Sequence, residues 1–149
     1  MKCAMELIAI ANEAKIQKEI QEQARQAQLE QNTIAWCEST LARYLEKEAR
    51  NCSALCEGRW TFEYGAGNAM HFDKSSNILR PLEKGTTYAN GDPSWRPSST
   101  ELRFDTIVQH CKKHCFEVRI EELNYPRWGF GVVKGIVLKF RIAPECLNT

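Results

Sequence analysis

The first glycine of the chain is Gly58 and the first proline is Pro81. Fifty-seven residues therefore pass without either of the two residues that most often interrupt a helix or reverse a chain. All eight glycines and all five prolines fall from Gly58 onward. That asymmetry predicts an α+β protein in two domains, a long helical arm over residues 1–57 and a compact, strand-rich module over residues 58–149.

Within the arm, residues 4–56 are dominated by Ala, Glu, Gln, Lys, Arg and Leu, the strongest helix formers. Ile20, Ala27, Ile34 and Leu41 recur at seven-residue steps, with Cys37 and Tyr44 three further on, which is a thin coiled-coil-like seam. Between Lys15 and Asn32 there are six glutamines, and only Ile16, Ile20 and Leu29 are large and apolar. A helix of that kind is marginal in water unless something covers its stripe. Homo-oligomerisation through residues 4–31 is the first reading; a solvated end, or a helix that docks only on another protein, are the alternatives. Asn32 and Thr33 favour helix starts, so the arm is either a single rod of roughly 75 Å at about 1.5 Å per residue or two helices with a break there, the second reading being preferred. The second helix, about Thr33 to Leu55, then packs on the module through Ile34, Trp36, Cys37, Leu41, Tyr44 and Leu45.

In the module, Trp60, Phe62 and Tyr64 alternate with Thr61 and Glu63, the period of a half-buried strand. Gly65 to Asn68 supplies a turn, and Ala69 to Asp73 returns as a second strand. Residues 74–99 read as irregular. Ser98 and Glu101 have the spacing of a capping box ahead of a helix that buries Phe104, Ile107, Val108, Cys111 and Cys115. Phe116 to Glu121 alternates again, Tyr125-Pro126 turns the chain, and Trp128–Val133 with Ile136–Ile142 forms a hairpin around Lys134-Gly135. The predicted module is ββαβββ, an antiparallel sheet with helix on one face.

Composition narrows the function classes. The net charge is +1, which gives no global attraction to nucleic acid. Residues 58–149 carry thirteen Lys/Arg against ten Asp/Glu, and residues 1–57 seven against nine. No run of eighteen apolar residues predicts a membrane span, and the start lacks the layout of a secretory signal. Seven cysteines, an odd number, then read as free thiols in a reducing cytoplasm.

Four groups of residues carry candidate chemistry. The loop from Gly85 to Pro97 sets Tyr88, Asn90, Trp95 and Arg96 among turn residues, with Arg80, Lys84, Arg103 and Arg127 as nearby cations. Aromatic faces, an amide and guanidinium groups stack on bases and grip phosphates, and they equally anchor protein interfaces; plain turn chemistry is the structural alternative. Cys52, Cys56, Cys111 and Cys115 are a candidate zinc set. On a helical wheel, however, Cys111 and Cys115 fall at the centre of the apolar stripe, which favours a core role. His71 and Asp73 share a strand face and can orient an imidazole, but no partner nucleophile accompanies them. Gly129-Phe130-Gly131 lacks the ending of a phosphate loop and reads as a bulge or close backbone approach. No catalytic residue and no cofactor is assigned.

The Ala/Gln/Glu-rich helical start, the stretch Tyr88-Ala89-Asn90-Gly91-Asp92-Pro93-Ser94-Trp95 and the free-cysteine count resemble small phage-encoded proteins of the counter-defence, anti-CRISPR type. The resemblance implies a cytoplasmic, non-enzymatic inhibitor. Such a protein binds a protein or ribonucleoprotein target, such as a CRISPR nuclease complex, or sequesters a nucleotide messenger. No functional residue carries over from it. A zinc-stabilised nucleic-acid module and a hydrolase built on His71 remain the other readings.

Overall fold

The computed structural model describes residues 1–52, 61–64, 70–87, 89, 91, 93–127 and 131–147. The fold is α+β: a long N-terminal helix followed by an antiparallel sheet and a packed helix. Helix α1 spans Ala4–Trp36, a π-helical turn spans Cys37–Leu41, and α2 spans Ala42–Asn51. Together they form a rod of roughly 70 Å at about 1.5 Å per residue.

No break occurs at Asn32-Thr33. Thr33 is fully buried, and its hydroxyl donates to the Leu29 carbonyl one turn back at 2.7 Å. The oxygen that favours a cap is thus used inside the helix. The irregularity comes four residues later. Leu29, Thr33, Cys37 and Leu41 are all buried and spaced by four. In an α-helix each step of four overshoots a full turn by about 40°. The wider π turn rotates the chain back, so Leu41 returns to the face that Leu29 and Thr33 began.

That face rests on the module. Cys37 and Leu41 join Met70, Leu79, Leu102, Ile107, Cys111, Ile136, Leu138 and Phe140 in one core, with Trp36, Tyr44 and Leu45 packed against it. The Tyr44 and Trp36 rings meet Tyr64 edge to face at 4.9 and 5.4 Å, and the Tyr44 hydroxyl donates to the Glu63 carbonyl.

Seven strands are described: β1 Thr61–Tyr64, β2 Met70–Asp73, β3 Ile78–Thr87, β4 Pro93–Pro97, β5 Leu102–Arg103, β6 Phe116–Arg127 and β7 Gly131–Ile142. Strand β7 pairs along one edge with β6 over its whole length, and along the other with β1 and the start of β2. Strand β2 turns into β3, whose far edge takes β5 and then β4. Helix α3, Phe104–Lys113, buries Thr106, Ile107 and Cys111, and a short helix α4, Pro144–Leu147, follows β7.

The module differs from expectation in four places. Residues 74–99 are not irregular: β3 and β4 form a two-stranded ribbon within them. The ribbon tolerates its prolines because β4 pairs only with β3 among the described residues. The Pro81 carbonyl accepts the Ser98 N–H at 2.8 Å, so the edge where Pro81 lacks a donor faces the irregular stretch between β4 and β5.

Tyr125-Pro126 does not turn the chain, and Lys134-Gly135 is not a hairpin tip. Strands β6 and β7 run through both, in register from Phe116↔Ile142 to Arg127↔Gly131, and the rest of the expected strand, Trp128 to Phe130, lies outside the described residues. Pro126 is accommodated because β6 pairs only with β7 among the described residues.

Ser98 does not cap α3. Leu102 and Arg103 are held as strand against Ile78 and Leu79, and the Phe104 N–H bonds to the Asn77 carbonyl at 3.1 Å, so the helix begins at Phe104. Finally, Cys115 is neither helical nor in the buried stripe. It is exposed, in left-handed backbone (φ 66°) past the end of α3, and it forms a disulfide with Cys146. The expectation of seven free thiols is corrected accordingly. The expected end of the second helix near Leu55 and the turn at Gly65–Asn68 lie outside the described residues.

Candidate interaction surfaces

Helix α1 leaves the module early. Every residue from Met1 to Arg25 is exposed, and the first buried one is Leu29. Arg25 marks the departure point, where its guanidinium pairs with Glu22 at 3.0 Å and approaches Glu101 of the module at 3.7 Å. Beyond it, Met5, Leu7, Ile8, Ile10, Ile16 and Ile20 are each 45–73% exposed. At about 100° per residue, Met5, Leu7, Ile8 and Ile10 are distributed around the whole axis rather than along one stripe. Helices that are apolar on all sides occur where they are surrounded. Residues 1–25 carry four basic and four acidic side chains, so the projecting segment is electrically neutral.

The second surface is the β3–β4 ribbon. Lys84 and Trp95 are cross-strand partners on it. Arg96 is exposed and pairs with Glu83 at 3.2 Å. Arg80 lies at the base of the ribbon and donates to Glu101 at 2.6 Å. Arg103 belongs to β5, where its backbone N–H is bonded to Thr33 Oγ1 at 2.9 Å. Arg127 ends β6, paired with Gly131 on another edge of the sheet. Tyr88 and Asn90 lie outside the described residues. Two of the expected cations, Arg80 and Arg96, therefore already hold carboxylate partners.

A third surface was not singled out from the sequence. Strand alternation puts Glu63, Lys139 and Arg119 in one cross-strand row, and Arg141 and Glu117 in the next, on the sheet face away from the core. Lys139 bridges Glu63 at 3.2 Å and Glu121 at 2.6 Å, and Arg141 pairs with Glu117. The Glu121 and Glu63 carboxylates hold the Lys139 ammonium above its ordinary range. A groove of about 760 Å³, reaching Tyr44 and Glu48 of α2, borders these rows. The signal lay in the alternation of Glu117-Val118-Arg119 against Lys139-Phe140-Arg141: Glu117 faces Arg141 with opposite charge, whereas Arg119 faces Lys139 with the same charge, and Lys139 is matched by Glu63 and Glu121 instead.

The candidate zinc cysteines do not come together. Cys111 is buried among core side chains, and Cys52 packs at the core margin. Cys115 is committed to Cys146, and Cys56 lies outside the described residues. Burial pushes the Cys111 thiol up to about 12 and the Cys37 thiol up to about 11, so both stay protonated and inert near neutral pH. Among the described residues no group of three or more His, Cys, Asp or Glu is placed to hold a metal ion. His110 and His114 stand one turn apart with ring centroids 4.9 Å from each other.

His71 is exposed on β2. Asp73 shares its face, but its Oδ1 accepts from the Ser75 N–H and hydroxyl at 3.0 and 2.7 Å, and Ser75 holds the carboxyl below its ordinary range. That carboxylate fastens the β2–β3 turn. Among the described residues, no helix is long and apolar enough to cross a membrane. Comparison of the chain with protein-family models, curated proteins and solved structures gave no match.

Proposed function

We propose that this chain is a non-enzymatic binding protein that associates with copies of itself through residues 4–31 and acts stoichiometrically on a protein or ribonucleoprotein target. The observation that carries the proposal is the projecting part of α1, Ala4 to Arg25. Complete burial of a large apolar side chain contributes roughly 1.5–3 kcal/mol. Six that are about half exposed hold roughly 5–9 kcal/mol per arm; because they lie all round the axis, one partner helix covers only part of this and several arms cover most of it. Association itself costs roughly 4–15 kcal/mol. One arm on a polar partner falls within that cost, whereas mutual cover by several arms offsets it. The arm's neutrality lets copies meet without net repulsion.

The ribbon is the target-facing surface in this reading. Arg80 and Arg96 are neutralised by Glu101 and Glu83, which suits a protein surface better than a phosphate chain. The resemblance to phage-encoded counter-defence proteins supplies the class of target, a nucleic-acid-handling or defence effector in the host cytoplasm.

The test is sedimentation equilibrium and native mass spectrometry of the full chain beside an Ile16→Glu/Ile20→Glu variant. The proposal expects an oligomer for the parent and a monomer with an unchanged near-ultraviolet spectrum for the variant. A monomeric parent at tens of micromolar overturns the self-association. Inhibition of an effector nuclease that saturates at a fixed mole ratio supports the stoichiometric role, and turnover of any component overturns it.

A further inference from the structure

We propose that Cys115 and Cys146 form a reversible thiol–disulfide exchange site on the module surface, acted on by small thiols and disulfides of the glutathione class, and that the bond latches helix α4 to the end of α3. The two residues are joined across 31 positions of sequence with their Cα atoms 6.0 Å apart. Cys115 is exposed and Cys146 half-buried, so an incoming thiolate reaches the Cys115 sulfur first. Lys112 and Lys113, both exposed, lie just before Cys115 and attract anionic disulfides such as oxidised glutathione.

The latch has something to hold. Among the described residues Ala143 is the last buried one, and its N–H bonds to the Cys115 carbonyl at 2.8 Å. Helix α4 contributes no buried side chain. Beyond Ala143, the disulfide adds to the main chain a second covalent tie between this segment and the module. Cys115 itself keeps a left-handed backbone that a non-glycine residue adopts at a cost. Cys37 and Cys111, in the core, are out of reach of the same chemistry.

Closing proceeds in two exchanges. The Cys115 thiolate attacks one sulfur of the small disulfide, forming a mixed disulfide and expelling one small thiolate. The Cys146 thiolate then attacks the Cys115 sulfur, forming the Cys115–Cys146 bond and expelling the second. Two protein thiols are oxidised, one small disulfide is reduced to two thiols, and the two cysteine protons end on those thiols. Opening is the reverse.

The test equilibrates the full chain in buffers of graded reduced-to-oxidised glutathione, quenches it with acid, alkylates the free thiols and maps the label by peptide. A parallel sample is read by amide hydrogen exchange. The expected result is that label on Cys115 and Cys146 rises together with one midpoint, while label on Cys37 and Cys111 does not change with the ratio. Exchange over residues 143–147 speeds at least tenfold as the bond opens, and exchange in β6 and β7 stays constant. Cys146→Ser gives the fast exchange at every ratio; if that variant does not fold, the parent titration decides alone. The proposal is overturned if the two cysteines label independently, if the bond resists full reduction until the protein unfolds, or if it opens with no change over residues 143–147.

Discussion

Thr33 Oγ1 accepts the backbone N–H of Arg103 at 2.9 Å, across seventy residues of sequence. The same hydroxyl donates to the Leu29 carbonyl, so one side chain satisfies the turn before it and ties the helix to β5. Arg103 sits immediately ahead of α3, and the bond therefore fixes how α1, β5 and α3 meet. Thr33→Val keeps the shape and removes both roles of the oxygen. Leaving the Arg103 N–H without its acceptor costs about 1–3 kcal/mol. Urea unfolding should show a lower midpoint with an unchanged slope, and Thr33→Ser should recover most of the loss. Equal stability of Thr33→Val and the parent would show that the bond contributes nothing.

Glu101 provides a contrast. It receives Arg80 at 2.6 Å and Arg25 at 3.7 Å, the only described ion pair between the arm and the module being the second. All three side chains are about a third to a half exposed. Exposed pairs contribute roughly 0–1 kcal/mol. Glu101→Gln should therefore shift the unfolding midpoint by less than Thr33→Val does, and the shift should shrink further in about 1 M salt. A larger loss than that of Thr33→Val would mean that the arm is seated by charge rather than by the buried face.

Leu29 tests that seat from the apolar side. It is the first buried residue of α1, 6% exposed, with the projecting segment before it. Leu29→Ala should cost about 2–5 kcal/mol and loosen amide exchange from Leu29 to Leu41. The exposed Ile16 and Ile20, truncated in the same way, should leave the chemical stability of the monomer within about 0.5 kcal/mol. If all three truncations cost alike in monomeric protein, the arm packs on its own module in solution.

Much of this was readable in the residues. The helical arm from Ala4 to Asn51 follows from the absence of breakers, β1 and the first half of β6 from alternation, and β2 as the return of a hairpin, whereas β7 reads as two strands because Lys134-Gly135 looks like a turn. What escaped reading depends on partners distant in sequence. Thr33 reads as a cap because its hydroxyl favours one; only the Arg103 amide explains why it stays inside a helix. Pro81, Gly85, Pro93 and Pro97 read as punctuation, yet β3 and β4 place two of those prolines on a strand paired along one edge. Ser98 and Glu101 spell a cap, but cross-strand pairing of Leu102 with Leu79 takes the residues between. Cys115 reads as the next member of the α3 stripe, and a left-handed residue at the helix end turns it outward. Of the interaction surfaces, the arm was legible from composition, while the Lys139 and Arg141 rows required the register of β7 against β6.

The core thiols make stability depend on alkaline pH. Burial raises Cys37 to about 11 and Cys111 to about 12, against an ordinary 9.0. The folded state therefore holds protons that the unfolded chain releases between these values. The stabilisation is fully present below pH 9 and is lost as the pH rises through 11 to 12. Urea midpoints measured from about pH 8 to 11 should fall over that upper range, and the Cys37→Ala/Cys111→Ala variant, although less stable throughout, should fall less steeply. Parallel curves for the two proteins would place the alkaline loss elsewhere.

The Cys115–Cys146 bond closes a loop that the native β6–β7 pairing already brings together, with Phe116 opposite Ile142 at the open end of the hairpin. Its effect on global stability must then come chiefly from the unfolded chain, whose freedom the bond restricts. For a loop of 31 residues the chain-entropy account gives about 3–4 kcal/mol. The oxidised parent should exceed Cys146→Ser by that amount in urea, while both proteins show the same far-ultraviolet spectrum. Reduced parent and Cys146→Ser should coincide. If reduction lowers stability by the expected amount but leaves amide exchange at residues 143–147 untouched, the bond is a staple of the unfolded chain and not a latch on α4. The two roles separate because one is read in global unfolding and the other in local opening.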